Sequence, residues 1–216
     1  MVFVPILEPG SNLEAYCPLD LSDTNPELEA IDLSKPEVCQ NYIEAVLARN
    51  KAQIAYGGYL ERRTIYVTPR FSGAQNRNIH LGVDFWASAG TKVLVPYDGV
   101  VHSFAHHSDP GNYGPTIILK HQMGSQAFFT LYGHLSLASL ENICLADEVK
   151  KGAVLGTLGT PDINGGYASH LHFQSILDIA YYQGDYPGVC AEADLDFFKA
   201  NCPNPLEILG MVNSFR

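Results

Sequence analysis

The chain has 216 residues, is 46% apolar and has a formal net charge of −10. That length suits one large domain or a core with extensions. The acidic balance excludes nucleic acid and an anionic membrane surface as main partners, and no apolar run approaches the ~20 residues that cross a bilayer.

The N-terminus, Met1-Val2-Phe3-Val4-Pro5-Ile6-Leu7-Glu8, lacks a basic stretch followed by a long apolar one and does not read as a secretory signal. Cys17, Cys39, Cys144, Cys190 and Cys202 are odd in number and show no C-x-x-C spacing. Reduced, buried thiols are expected, with Cys190–Cys202 the minor disulfide alternative. Both points favour the cytoplasm; a removed leader would place the chain in the periplasm or outside the cell.

Residues 1–33 read as loop, with Pro5, Pro9, Pro18 and Pro26. Ser34-Lys35-Pro36-Glu37 predicts a helix start, with Ser34 as cap, Pro36 in the first turn and Glu37 three after the cap. Val38, Tyr42, Ile43, Val46 and Leu47 continue at helical spacing to about Asn50. The stretches 52–60 and 64–67 read as a hairpin around Glu61-Arg62-Arg63. Between 78 and 178, many short strands split by Gly, Pro and Asp predict an all-β sandwich or barrel-like sheet. The stretches 90–101 and 152–159 share a glycine-and-valine rhythm, a weak internal repeat. Residues 180–216 are acidic, with a short helix expected near 191–201. The layout expected is an N-terminal extension over 1–77, a core over 78–178 and a C-terminal extension over 179–216, the extensions covering sheet edges and shaping a cleft.

Two short runs concentrate the chemistry: His80-Leu81-Gly82-Val83-Asp84 and His170-Leu171-His172-Phe173. Two imidazoles and a carboxylate form a three-ligand zinc set with a fourth position open, the arrangement of a catalytic rather than a structural site. In a strand, His170 and His172 share one face while Leu171 and Phe173 face the core, and Asp84 stands opposite Val83 and Phe85. Fully extended, His80 and Asp84 would lie about 13 Å apart, too far for one ion. A bend near Gly82, or His80 in a turn before the strand, is therefore predicted. Among the other histidines, His102, His106 and His107 precede the turn Asp109-Pro110-Gly111 and are expected to face solvent, and His121 is expected at the surface of a strand end.

The sequence between the runs resembles one family. Ala89-Gly90-Thr91-Lys92-Val93, Val95-Pro96-Tyr97-Asp98-Gly99, Tyr113-Gly114-Pro115, Leu131-Tyr132-Gly133-His134-Leu135 and Val149-Lys150-Lys151-Gly152 lead in order to the His-Leu-His-Phe run. Together they resemble the M23 family of zinc metallopeptidases, the LytM or lysostaphin type, over roughly 78–178. The resemblance implies a mainly β fold: an antiparallel sandwich or barrel-like metallopeptidase core with an N-terminal helix and a short helical C-terminal extension. It implies His80, Asp84 and His172 as ligands of one Zn2+ per chain, and His134 and His170 as the catalytic histidines. It also implies a peptide substrate derived from peptidoglycan, cleaved in its stem or bridge peptides.

The loop before H-x-H, residues 159–169, is longer than the family's usual short turn and borders the cleft. One histidine would take a proton from an attacking water, and the other would bind the oxyanion or protonate the leaving amine; the sequence does not assign which. The flanks resemble, more weakly, an M23 type fused to aminotransferase and small-molecule kinase domains, which implies a soluble peptide or amide metabolite as an alternative substrate. A non-catalytic LytM-type module that binds a peptide or regulates another hydrolase is the alternative of a different class. The glycine-valine rhythm also resembles biotinyl and lipoyl carrier domains, but no lysine stands in their hairpin-tip context.

Overall fold

The structure, a computed structural model, describes residues 2–66, 70–71 and 76–211. Its main sheet is built from β1 (Tyr16–Pro18), β2 (Ile54–Gly57), β4 (Val83–Trp86), β6 (Gly99–His107), β7 (Gly114–Met123), β8 (Gln126–Gly133), β9 (Glu148–Val149) and β11 (His170–Ile176). The strands lie in the order β1-β2-β4-β11-β8-β7-β6-β9. Every pairing in this sheet is antiparallel except β1 on β2. Two ribbons accompany it: β5 (Lys92–Leu94) with β10 (Val154–Thr157), and β3 (Ile79–His80) with β12 (Val189–Cys190). The expected mainly β class is what the chain adopts, and the two glycine-valine stretches supply the paired strands β5 and β10.

Side chains alternate along the central strands and divide the molecule into two layers. Val83, Phe85, Leu171, Phe173, Tyr132, Ile117 and Leu119 enter one core with Val93, Val95 and Leu158 around the β5–β10 ribbon. The opposite face is covered at two ends. Helix α1 (Pro36–Asn50) covers one end, burying Cys39, Ile43 and Val46 against Ala55 and Trp86. These three follow i, i+4, i+7 spacing, and each buried aliphatic contributes on the order of 1.5–3 kcal/mol. The other end is covered by Ile179, Tyr186 and Cys202, the last of these just beyond α2 (Leu195–Asn201), which a 3-10 turn Glu192–Asp194 introduces. A short α3 (Pro205–Ile208) follows. Between these covers a cleft lies over β4 and β11, with Asp84, His170 and His172 buried at its floor. Among the described residues, no helix is long and apolar enough to cross a membrane.

Several expectations are corrected. The cap of α1 is Lys35, with no side-chain cap bond, because Ser34 turns its hydroxyl back to Asp32. The hairpin at 52–67 does not form over the described residues; Val67 lies outside them. Both edges of β2 are already taken, by β1 and β4, and the chain leaves it through positive φ at Gly58 and Leu60. His121 is 2% exposed, held by Thr130 and by the carbonyl of Asp98. His102 and His107 are half-buried, His107 on the carbonyl of Gly184, whereas His106 is exposed. All five cysteines are free; four are buried, but Cys144 is exposed.

Candidate metal centre and cleft

Antiparallel register sets His172 opposite both Asp84 on β4 and Gly133 on β8. The chain breaks between β3 and β4 at Leu81-Gly82, so His80 sits on the β3–β12 ribbon and returns toward Asp84. His80 Nε2 and His172 Nδ1 are 2.8 Å apart, and each lies 3.2 Å from Asp84 Oδ1. All three residues are buried and could hold one metal ion.

Their partners decide what these three atoms are. His80 Nδ1 faces the carbonyl of Gly58 at 2.9 Å and must donate its hydrogen there, which leaves Nε2 a bare lone pair. The Gln174 amide nitrogen donates to the carbonyl of Pro187 at 3.1 Å, so its oxygen faces His172 Nε2 at 2.9 Å and accepts that hydrogen. His172 Nδ1 is then bare as well. Two imidazole lone pairs and a carboxylate oxygen converge with no hydrogen between them, an arrangement that repels unless a cation lies among them. The two edges to Asp84 Oδ1, each 3.2 Å, also suit the ion, whereas the nitrogen–nitrogen edge of 2.8 Å is shorter. Bonds of about 2.0–2.1 Å in a tetrahedron place donors roughly 3.3 Å apart. Burial lowers His80 to about 4, so it stays neutral at pH 7. Burial works to raise Asp84, but His80, Arg63 and His170 outweigh it and hold the carboxyl well below the usual range.

Two further imidazoles flank this set. His170 Nδ1 donates to the carbonyl of Ala168 at 2.7 Å, and His134 Nδ1 to the carbonyl of Asn164 at 2.6 Å. Both Nε2 atoms are thus free acceptors. Their ring centroids are 4.2 Å apart, and His170 Nε2 is 3.8 Å from Asp84 Oδ1. Burial lowers the pKa of each: for His134 repulsion from His170 and His172 adds to it, whereas for His170 the charge of Asp84 opposes it. His134 has φ +63, a left-handed backbone that costs about 1–2 kcal/mol outside glycine. Backbone bonds from its N–H to Tyr113 and from Gly159 to its carbonyl pin it there. The loop 159–169 is folded around Asn164, fully buried, whose amide bonds Gly159 and Tyr167. Its backbone therefore orients His134, and Gly166, Tyr167 and Ala168 line the cleft.

The five residues singled out from sequence all lie on one cleft of about 250 Å³. Sequence reading missed the groups behind them. Gln174 continues the alternation of His170 and His172 and was findable by spacing. Asn164 acts through its main-chain carbonyl and left no signal. Arg63 donates from Nη1 to Asp84 Oδ2 at 2.6 Å, both side chains 2% exposed, across a separation of 21 residues that no motif spans. Arg63 remains a cation: burial disfavours its charge, but Tyr66, Asp84 and Glu61 raise its pKa further still.

Residues 78–182 match peptidase family M23. An uncharacterized metalloprotease of Haemophilus influenzae is 35% identical over 95 residues, 44% of this chain and 18% of the relative. The DD-carboxypeptidase/endopeptidase Mpg of Neisseria meningitidis serogroup B is 32% identical over 97 residues, 45% of this chain and 20% of the relative. The chain thus spans about a fifth of the length of these curated relatives. Among solved structures, the catalytic domain of lysostaphin from Staphylococcus simulans aligns at 27% identity and TM-score 0.37, covering 60% of this chain and 86% of that one. The catalytic domain of the prophage-encoded M23 protein EnpA from Enterococcus faecalis aligns at 21% identity and TM-score 0.42, covering 59% and 82%.

Proposed function

We propose, from the premise that this chain belongs to peptidase family M23 through residues 78–182, that it is a zinc-dependent endopeptidase or amidase acting on peptidoglycan stem or bridge peptides. The observation that supports this most is the convergence of two bare imidazole nitrogens and one carboxylate oxygen within 2.8–3.2 Å, beside two neutral histidines. His80, Asp84 and His172 would hold the ion. When bound, zinc polarises a carbonyl as a Lewis acid and makes water acidic near neutral pH. The remaining work falls to the chain. His170, kept the more basic of the pair by Asp84, accepts the proton of the attacking water at Nε2. As the C–N bond breaks, His170 returns that proton from Nε2 to the departing amine nitrogen, while the bare Nε2 of His134, held by the Asn164 carbonyl, accepts a hydrogen bond from the same amine. Burial keeps both neutral at pH 7, the form a proton acceptor needs.

The cleft supports a substrate with a carboxylate near the scissile bond. Arg49 pairs with Glu27, Arg62 with Glu192, and Arg63 with Glu61 and Asp84. Arg70 and Arg77 line the cleft, Arg70 exposed and Arg77 half-buried with its guanidinium on the Arg70 carbonyl, and among the described residues neither has a carboxylate partner. A terminal D-alanyl carboxylate or the side-chain carboxylate of a diaminopimelate residue would meet them, a reading supported by the DD-carboxypeptidase/endopeptidase name of the Neisseria relative. The test is metal analysis of the purified chain, then digestion of defined muropeptides with products read by mass. About one zinc per chain and chelator-sensitive cleavage are expected. Tight peptide binding without turnover would replace the enzyme with a non-catalytic peptide-binding module.

A further inference from the structure

The groups that fix the metal donors do not all come from residues 78–182. Gly58, Glu61 and Arg63 precede that segment. The carbonyl of Gly58 takes the His80 Nδ1 hydrogen, and Arg63 Nη1 donates to Asp84 Oδ2. Gly58 has φ +104, and a Cβ there would stand 2.1 Å from Arg63 Nη2 and 2.8 Å from His80 Nδ1. One turn therefore sets both contacts, and only glycine fits it.

Arg63 is itself held on several sides. Its Nε donates to Glu61 Oε2, and Glu61 Oε1 accepts the N–H of Leu21 at 3.1 Å. Its guanidinium lies 5.6 Å from the centroid of the Trp86 ring. Yet Nη2 is buried with no acceptor. A buried cation with an unfilled donor is a poor choice for stability alone, since an apolar residue would avoid the penalty. What the guanidinium supplies instead is control of a carboxylate. An aspartate can give a metal one oxygen or two. With Oδ2 held by Arg63, only Oδ1 faces His80 and His172.

We propose that the turn 58–63 is the positioning element of the metal centre and that Arg63 restricts Asp84 to one-oxygen ligation, keeping a coordination position free for water or substrate. This rests on the metal reading above. Loss of such an outer partner typically lowers metal affinity about 10–100-fold.

The experiment substitutes cobalt(II), whose visible bands are intense in four-coordinate sites and weak in five-coordinate ones. The wild-type 216-residue chain is expected to give the four-coordinate spectrum. Arg63→Met is expected to give weak five-coordinate bands and, by chelator competition, an affinity about 10–100-fold lower. Arg63→Lys, which keeps a cation within reach of Oδ2, is expected to restore the intense bands. Arg63→Gln, too short to reach Asp84 but polar beside Glu61, reads the same quantity if the Met variant does not fold. Unchanged spectrum and affinity in Arg63→Met or Arg63→Gln, or a five-coordinate wild type, overturn the proposal. A wild type that binds no cobalt overturns the metal reading itself, so the two failures are distinguishable.

Discussion

Replacing Gly82 by alanine separates two explanations of that glycine. Gly82 lies in the break between β3 and β4, and its φ is not in the left-handed region. If only backbone freedom mattered, alanine would narrow the unfolded ensemble and stabilise by roughly 0.4–1 kcal/mol. The packing predicts the opposite. A Cβ at this position would stand 2.7 Å from both Cε1 and Nε2 of His172, and 2.8 Å from the carbonyl oxygen of Phe173. Ordinary contact needs about 3.5 Å, so the imidazole must retreat by roughly 0.8 Å. Phe173 cannot yield with it, because β11 is bonded on both sides, to β4 and β8. Metal–ligand distances tolerate only about ±0.2 Å. Overpacking of this kind costs about 1–3 kcal/mol. If that cost falls on the ligand geometry, metal affinity drops about 5–150-fold at 1.4 kcal/mol per decade. Competition with a chromophoric chelator measures the affinity, and melting curves with and without chelator measure the fold. A Gly82→Ala protein that holds zinc within twofold of wild type and melts no lower would refute the steric argument.

Three further outcomes follow from the structure. His134→Ala should keep zinc stoichiometry and lose hydrolysis, whereas His172→Ala should lose the metal; atomic absorption and peptide turnover on the same samples distinguish them. Arg70→Ala should raise KM about tenfold, the loss of one charge-assisted contact, for peptides with a free carboxylate beside the cleaved bond, and leave amide-capped peptides unaffected. Burial lowers the His121 pKa below the ordinary 6.5. As pH falls past that value, the unfolded chain takes the proton first, so stability from this residue is full above it and declines below. Urea midpoints at about pH 7.5 and pH 5 should therefore differ less in His121→Gln than in wild type, and equal differences would count against the burial argument.

Much of the candidate site's arrangement was legible because it obeys local periodicity. His170 and His172 alternate with Leu171 and Phe173, and the 13 Å strand distance between His80 and Asp84 forced a break where the break lies. The His134 position followed from the resemblance alone; nothing in its spacing announces a left-handed residue after Gly133. The misreading of His121 has a physical cause. His121 looked like a strand-end residue because its burial comes from the turn at Asp98 and from Thr130 across the sheet, neither of which is a local neighbour. The hairpin at 52–67 failed for a related reason: Ile54–Gly57 has strand composition, but which strand it joins is set by β1 and β4, not by the residues that follow it.

The same long-range dependence yields a prediction about the family-matched segment in isolation. Residues 78–182 contain all five candidate site residues but few of the groups that orient the metal donors. Excision removes Gly58 from His80, Arg63 from Asp84, and Pro187 and Cys202 from the Gln174 amide that fixes the His172 tautomer. It also removes β2, exposing an edge of β4 next to the donor strand, and α1, uncovering Trp86. His80 loses its strand partner Val189 as well. Each lost outer contact lowers metal affinity about 10–100-fold where such contacts have been removed singly, so the fragment is expected to bind zinc at least 100-fold more weakly than the full chain. Competition titration of fragment and full chain under one buffer measures this. A fragment that folds and binds with full affinity would show that the extensions only cover the sheet, and that the donors are fixed from within 78–182.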